Sequence, residues 1–160
     1  MIIHEPYKFK RNGDSYKFYT DNDVYYSIDF TDGSYYFNKF PDYLSIYEYS
    51  LNVLNTGKHL SPPPDKRIEL TVVAVLSAFL SYRENSVIYV CQNIDKRHYV
   101  RKRKFDFWFT QNQNYNLEKH DVAIEYEDTA YLSSLIIPIT NPNKDEIVNL
   151  FIDQSNQFNK

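Results

Sequence analysis

At 160 residues the chain has the length of one ordinary domain, long enough to bury most of the apolar surface of its unfolded form, and one core is expected. Its 16 Tyr and 11 Phe against 3 Gly make a sheet-forming composition, since aromatic residues suit a half-buried pleated surface, and a charged fraction of 24% excludes a highly charged disordered chain. With 18 basic and 21 acidic residues, the net charge of −3 excludes a general nucleic-acid coat protein and leaves only a localised positive surface open.

The N-terminus carries neither the long apolar core nor the small-residue cleavage site of a secretory signal. The most apolar run, 70–80, is interrupted by Thr71 and Ser77 and falls short of the roughly 20 residues a bilayer needs. A cytoplasmic protein with no membrane partner is expected. Residues 1–14, with Arg11-Asn12-Gly13-Asp14 as a turn, read as a loosely held lead-in or an edge strand. A strand is predicted over 15–19 and a turn at Asp21-Asn22-Asp23. Val24, Tyr26, Ile28 and Phe30 then alternate with polar or smaller positions, the period of two of a strand with one face on a core. Asp32-Gly33 predicts a tight hairpin into a strand at Ser34-Tyr35-Tyr36-Phe37. Tyr47, Tyr49, Leu51 and Val53 repeat the alternation, so the N-terminal third is expected to be an antiparallel meander.

The Pro-rich stretch 55–64 is too short for a domain linker and reads as the loop that starts a helix, with Asp65 as N-cap. The helix, over 66–83, carries Ile68, Val72, Val75, Leu76, Phe79 and Leu80 on one side. Glu69 falls within that apolar arc, where a carboxylate must find a partner or shift its pKa. The strand Val87-Ile88-Tyr89-Val90-Cys91 is continuously apolar, which predicts burial on both faces and an interior place in the sheet. Cys91 is the lone cysteine, which excludes an intrachain disulfide and a Cys cluster for zinc; it is read as core filler. A basic helix over 95–109, a hairpin of 122–126 with 132–139, and a last helix capped at Asn141 with Pro142 in its first turn complete the chain. The fold class is α+β: a single domain, mostly antiparallel sheet, packed with two or three helices.

The basic helix concentrates the chemistry. Wound at helical spacing, Arg97, Arg101, Lys104 and Trp108 form one stripe beside Val100, Phe105 and Phe107, with Arg103 pointing elsewhere and Lys102 and Asp106 on the opposite side. Three readings of this row compete. In the first, the long stems cover apolar surface and the charged heads pair with acidic residues, Glu69 among them. In the second, Arg97, Arg101, Lys104, Arg103 and Trp108 bind an anion or nucleic acid, cations on phosphate and the aromatic ring as stacking surface. In the third, Arg97 and Arg101 stabilise charge on a phosphate ester while Glu69, His98 or Tyr99 moves protons, a metal-independent enzyme on RNA or nucleotides.

Other chemistries have no signature. Three glycines leave no room for a phosphate-cradling Gly-rich loop, no G-x-S-x-G motif occurs, and His4, His59, His98 and His120 are not at metal-ligand spacing. Neither a metal nor a cofactor is expected. The segment Pro64-Asp65-Lys66-Arg67-Ile68-Glu69, then Ile88-Tyr89-Val90-Cys91, then Asp95 to Arg97 and the run Arg101 to Phe109, with Ser134-Leu135-Ile136-Ile137 and Asn141-Pro142 following, resembles a family of small uncharacterised bacterial proteins, a domain of unknown function. More distantly, the order of helix, Ile-Tyr strand and Arg-containing helix is similar to a second uncharacterised bacterial family of the same size. The resemblance implies no activity; such families are often toxin–antitoxin or phage-defence components. The expectation is a binding or regulatory protein whose basic helix engages a phosphate-bearing or acidic partner, nucleic acid or protein. The alternatives are the enzyme and a protein-interaction domain or homodimer using exposed tyrosines of the N-terminal sheet.

Overall fold

The alternating N-terminal segments become strands β1 (Lys10–Asn12), β2 (Ser15–Tyr19), β3 (Tyr25–Asp32) and β4 (Tyr47–Asn55). Helix α1 (Lys66–Phe79) leads into β5 (Val87–Gln92), α2 (His98–Gln111) leads into β6 (Leu117–Tyr126) and β7 (Thr129–Pro138), and α3 (Lys144–Phe158) follows. The computed structural model describes residues 4–92, 98–111, 116–126 and 129–158. Their strands form one seven-stranded sheet in the order β1-β2-β3-β4-β5-β7-β6. Each pairing is antiparallel except β4 with β5, which is parallel because α1 carries the chain back across the sheet.

Each face of the sheet has its own core. Tyr16, Phe18, Ile28, Phe30, Tyr49 and Val87 face α1 and α2, whereas Ile88, Leu135 and Ile137 face Ile147 and Phe151 of α3. Consecutive residues Val87 and Ile88 are both fully buried, on opposite faces, which is why β5 is apolar without alternating. Its interior place, between β4 and β7, is the one its composition predicts.

The strand predicted at 34–37 is absent. Ser34–Tyr36 is a 3-10 helix, and Gly33 has φ −96°, so no positive-φ hairpin turn forms. The Asp32 carboxylate accepts from the Ser34 N–H at 2.9 Å and the Ser34 hydroxyl at 3.0 Å, a local turn that outcompetes the hairpin. Glycine is needed at 33 for closeness instead: a Cβ there would lie 3.1 Å from the Tyr47 carbonyl carbon and 3.2 Å from the Glu48 nitrogen. Strand β3 therefore pairs with β4, its register running from Tyr25↔Asn55 to Asp32↔Tyr47.

The first helix starts where predicted, with the Asp65 carboxylate accepting from the Arg67 N–H at 2.9 Å, but ends at Phe79 rather than near Arg83. The Asn85 side chain donates to the Phe79 carbonyl at 3.1 Å and the Ser81 hydroxyl to the Ala78 carbonyl at 2.6 Å, satisfying the terminal acceptors and stopping the winding. The segment read as lead-in or edge strand supplies edge strand β1, and Tyr7 ahead of it is buried. There the Tyr7 N–H donates to Thr71 Oγ1 at 2.8 Å, and the Arg67 guanidinium lies 3.9 Å over the Tyr7 ring while pairing with Asp21 at 2.9 Å. At the C-terminal end, Asn141 Oδ1 accepts from the Asn143 N–H at 2.8 Å, so Pro142 stands just ahead of α3 rather than inside its first turn.

Candidate functional site

Two faces of α2 are fixed by packing, and they determine what the remaining face can do. Phe105 is buried, with its ring centroid 4.3 Å from that of Tyr89 and 5.7 Å from that of Tyr49, which docks the helix over β4 and β5. On a second face Lys102 is buried in a paired network rather than solvated as a charge run would suggest. Its Nζ lies 2.6 Å and 2.7 Å from the two Asp106 carboxylate oxygens and 2.9 Å from Asp121 Oδ1. Lys119 Nζ reaches both carboxylates at 2.6 Å, and the Ser134 hydroxyl donates to Asp121 Oδ1 at 2.6 Å. Two cations and two anions thus clamp α2 to β6 and β7.

For Asp121, burial alone would raise the pKa, but hydrogen bonds from Lys119, Ser134 and Lys102 outweigh it and hold the carboxyl at about 2 against an ordinary 3.8. Lys102 is pushed up: desolvation opposes its charge, and Asp106 and Asp121 overcome that cost. Because the Asp121 pKa is depressed on folding, its stabilisation is complete above about pH 4 and is lost as the pH falls towards 2. The side chain is half-exposed, so the contribution is discounted to about 1 kcal/mol. Thermal melts between pH 5 and about pH 2.5 are expected to show Asp121→Asn losing less stability than the wild type; equal losses would remove Asp121 from the acid response.

The third face carries the row singled out from the sequence. Lys104 is exposed, its Nζ 5.1 Å from the ring centroid of the half-buried Trp108 one turn later. Both line a groove of about 490 Å³, with Leu51 of β4, Pro64, Lys66 and Glu69 among its other walls. It lies where, among the described residues, the β4–β5 ladder of Tyr47↔Val87 and Glu48↔Ile88 is not continued along the outer half of β4. The Asp65 carboxylate at the groove's end is occupied, capping α1 and accepting from the Tyr7 hydroxyl.

The structure brings three of the predicted site residues together, Glu69, Lys104 and Trp108, around one space. Glu69 is 9% exposed and is not left without an interaction. Arg103 is exposed but is not a wall of the groove. Arg97 and the side chains of Arg101, His98 and Tyr99 lie outside the described residues. Lys66, Leu51 and the proline wall were not singled out from the sequence; the Pro-rich run directly before a capped helix was the available signal. Nor was Asp121, whose partnership with Lys102 spans two elements. Of the strand tyrosines, Tyr16, Tyr26 and Tyr49 are buried, while Tyr19 is exposed and stacks on Tyr25 at 4.1 Å. Among the described residues no group of three His, Cys, Asp or Glu could hold a metal ion, and no helix is long and apolar enough to cross a membrane.

Comparison with known proteins adds a family and little else. Residues 64–153, which hold α1, β5, the described part of α2 and the clamp, match the model of a family of unknown function, DUF6169. No curated protein matches the chain. A solved structure, that of a CoA-dependent acyl-homoserine lactone synthase, MesI, is similar over 91% of this chain and 69% of that chain, at a TM-score of 0.38 and 14% identity. So distant a likeness carries neither ligand nor reaction across.

Proposed function

The chain belongs to DUF6169, a family of unknown function, and from that premise we propose that it is a binding or regulatory protein that takes an anionic partner, phosphate-bearing or acidic, in the groove between α1 and α2. The observation that supports this most is the pairing of Lys104 with Trp108 at 5.1 Å in the wall of a groove of about 490 Å³: one supplies a cation and the other a stacking face. Lys66 adds a second cation at the start of α1. Of the other described basic side chains of α2, Lys102 is used by the clamp and Arg103 is exposed.

The test is equilibrium binding of short labelled RNA, DNA and oligoglutamate over a salt series. Lys104→Ala/Trp108→Ala, shown to be folded, is expected to bind at least one of these ligands about tenfold more weakly, with a shallower salt slope, in keeping with 1–3 kcal/mol for a stacked base. Equal affinity and slope in wild type and variant would sink the groove as the site.

A second reading is supported by Glu69 lining the same groove: a metal-independent enzyme on RNA or nucleotides, with Glu69 moving protons and Arg97 and Arg101 as the proposed charge-stabilising groups. Turnover in the presence of chelator, abolished by Glu69→Gln, separates it from simple binding. A cytoplasmic location and a toxin–antitoxin or phage-defence setting stand as proposals too, tested by cell fractionation and by co-expression with genomic neighbours.

A further inference from the structure

Among the described residues, the outer half of β4 has a strand partner on one edge and none on the other. Strand β3 accompanies β4 to Asn55, so one edge is satisfied, but the pairing with β5 ends at Glu48. From Ser50 to Asn55, among the described residues, no strand lies on the other edge, and Asn52, Val53, Leu54 and Asn55 are exposed. Alternate residues of such a stretch direct N–H and C=O groups to the edge that has no strand partner among the described residues. Proteins usually protect such edges with charge or proline, yet residues 49–55 contain neither. The apolar side chains of Val53 and Leu54, 44% and 49% exposed, add to the unprotected character.

The surroundings select the occupant. Leu51 of this strand shares the proposed partner groove with Lys104 and Lys66; of the two carboxylates that also line it, Asp65 is taken up by the cap of α1 and by Tyr7, and Glu69 is 9% exposed. A chain paired with β4 would place alternate side chains on that face, and acidic ones would meet the two lysines.

We propose that the groove's partner is an extended acidic peptide segment that adds to β4 as a strand along Ser50–Asn55, with main-chain hydrogen bonds to the open edge and carboxylates on Lys104 and Lys66. This rests on the groove being the partner site. Backbone pairing supplies the affinity and is indifferent to sequence; the lysines select acidic character and direction.

The test uses the full chain and two synthetic hexapeptides with alternating Glu and Thr, one ordinary and one N-methylated at alternate amides, which keeps charge and side chains but cannot pair as a strand. The ordinary peptide is expected to slow amide exchange at alternate residues between 50 and 55, to change Trp108 fluorescence, and to bind about tenfold more tightly than the methylated one. Equal affinity of the two peptides with a Trp108 response overturns the strand and leaves the groove standing. Absence of peptide binding at roughly millimolar concentration overturns it as well. If an oligonucleotide then binds, the partner is nucleic acid; if that also fails, the groove reading falls with it. Edge protection that appears without peptide and tracks a doubling of molecular mass would assign the edge to a second copy and overturn the proposal.

Discussion

Phe79→Ala is expected to cost about 3–5 kcal/mol, the range for truncating a fully buried aromatic side chain. Phe79 is 2% exposed and lies face to face with Phe30 of β3, ring centroids 3.9 Å apart and planes 2° from parallel, with Tyr47 of β4 edge-on at 5.0 Å. One ring at the last turn of α1 thus fastens the helix to two strands. Alanine removes the transfer free energy of the ring and leaves a cavity that three elements would have to close together. For a domain of this size the loss corresponds to a fall of roughly 10 °C in melting temperature. Phe79 is far along α1 from the groove at its start, so anion binding well below the melting temperature is expected to be unchanged. A cost under about 1 kcal/mol in urea unfolding would mean that α1 is not seated by this stack.

Lys102→Ala is expected to be the most damaging charge removal among the described residues, at about 2 kcal/mol, since its carboxylate partners are partly solvated. The wild-type clamp balances Lys102 and Lys119 against Asp106 and Asp121. Without Lys102 the two carboxylates share one ammonium, and a group that was 9% exposed leaves a void beside them. The carboxylates left behind are 37% and 49% exposed and keep Lys119, so the cost comes from the void and from two anions sharing one cation; the void's part should persist at high salt, where exposed pairs such as Arg83 with Glu84 are screened. The same change should weaken ligand binding several-fold although Lys102 is not a wall of the groove, because Lys104 and Trp108 are held in place by the clamped helix. Urea unfolding at low and high salt checks the first part and ligand titration the second; a variant within about 1 kcal/mol of wild type would show that Phe105 alone docks α2.

The strands were legible where one periodicity governed them. Tyr26, Ile28 and Phe30 alternate because one face of β3 is buried, and the unbroken run from Val87 encodes a strand covered on both sides. Asp32-Gly33 reads as a hairpin turn because two local rules share the same residues, and only the close approach of Gly33 to Tyr47 and Glu48 decides between them. The end of α1 depended on Asn85, six residues beyond the last helical turn, folding back onto the Phe79 carbonyl. For the site, helical spacing brought Lys104 and Trp108 onto one face, and the apolar arc flagged Glu69. That these three line one groove follows from how α1 and α2 pack over the sheet, a long-range arrangement with no local signature. Lys102 and Asp106 were visible as neighbours one turn apart, but the role of Asp121 required knowing that β6 passes beneath the helix.

Trp108 is the chain's single tryptophan, so the groove carries its own reporter. The most direct measurement of the central claim is its fluorescence in the wild-type protein on titration with a short single-stranded oligonucleotide and, separately, with an acidic peptide, each at low and at physiological salt. A saturable change is expected with at least one of them, weaker at higher salt and reduced in Lys104→Ala. Unchanged Trp108 emission with both, in a protein shown by another probe to bind either one, would place the partner elsewhere and contradict the groove as the site.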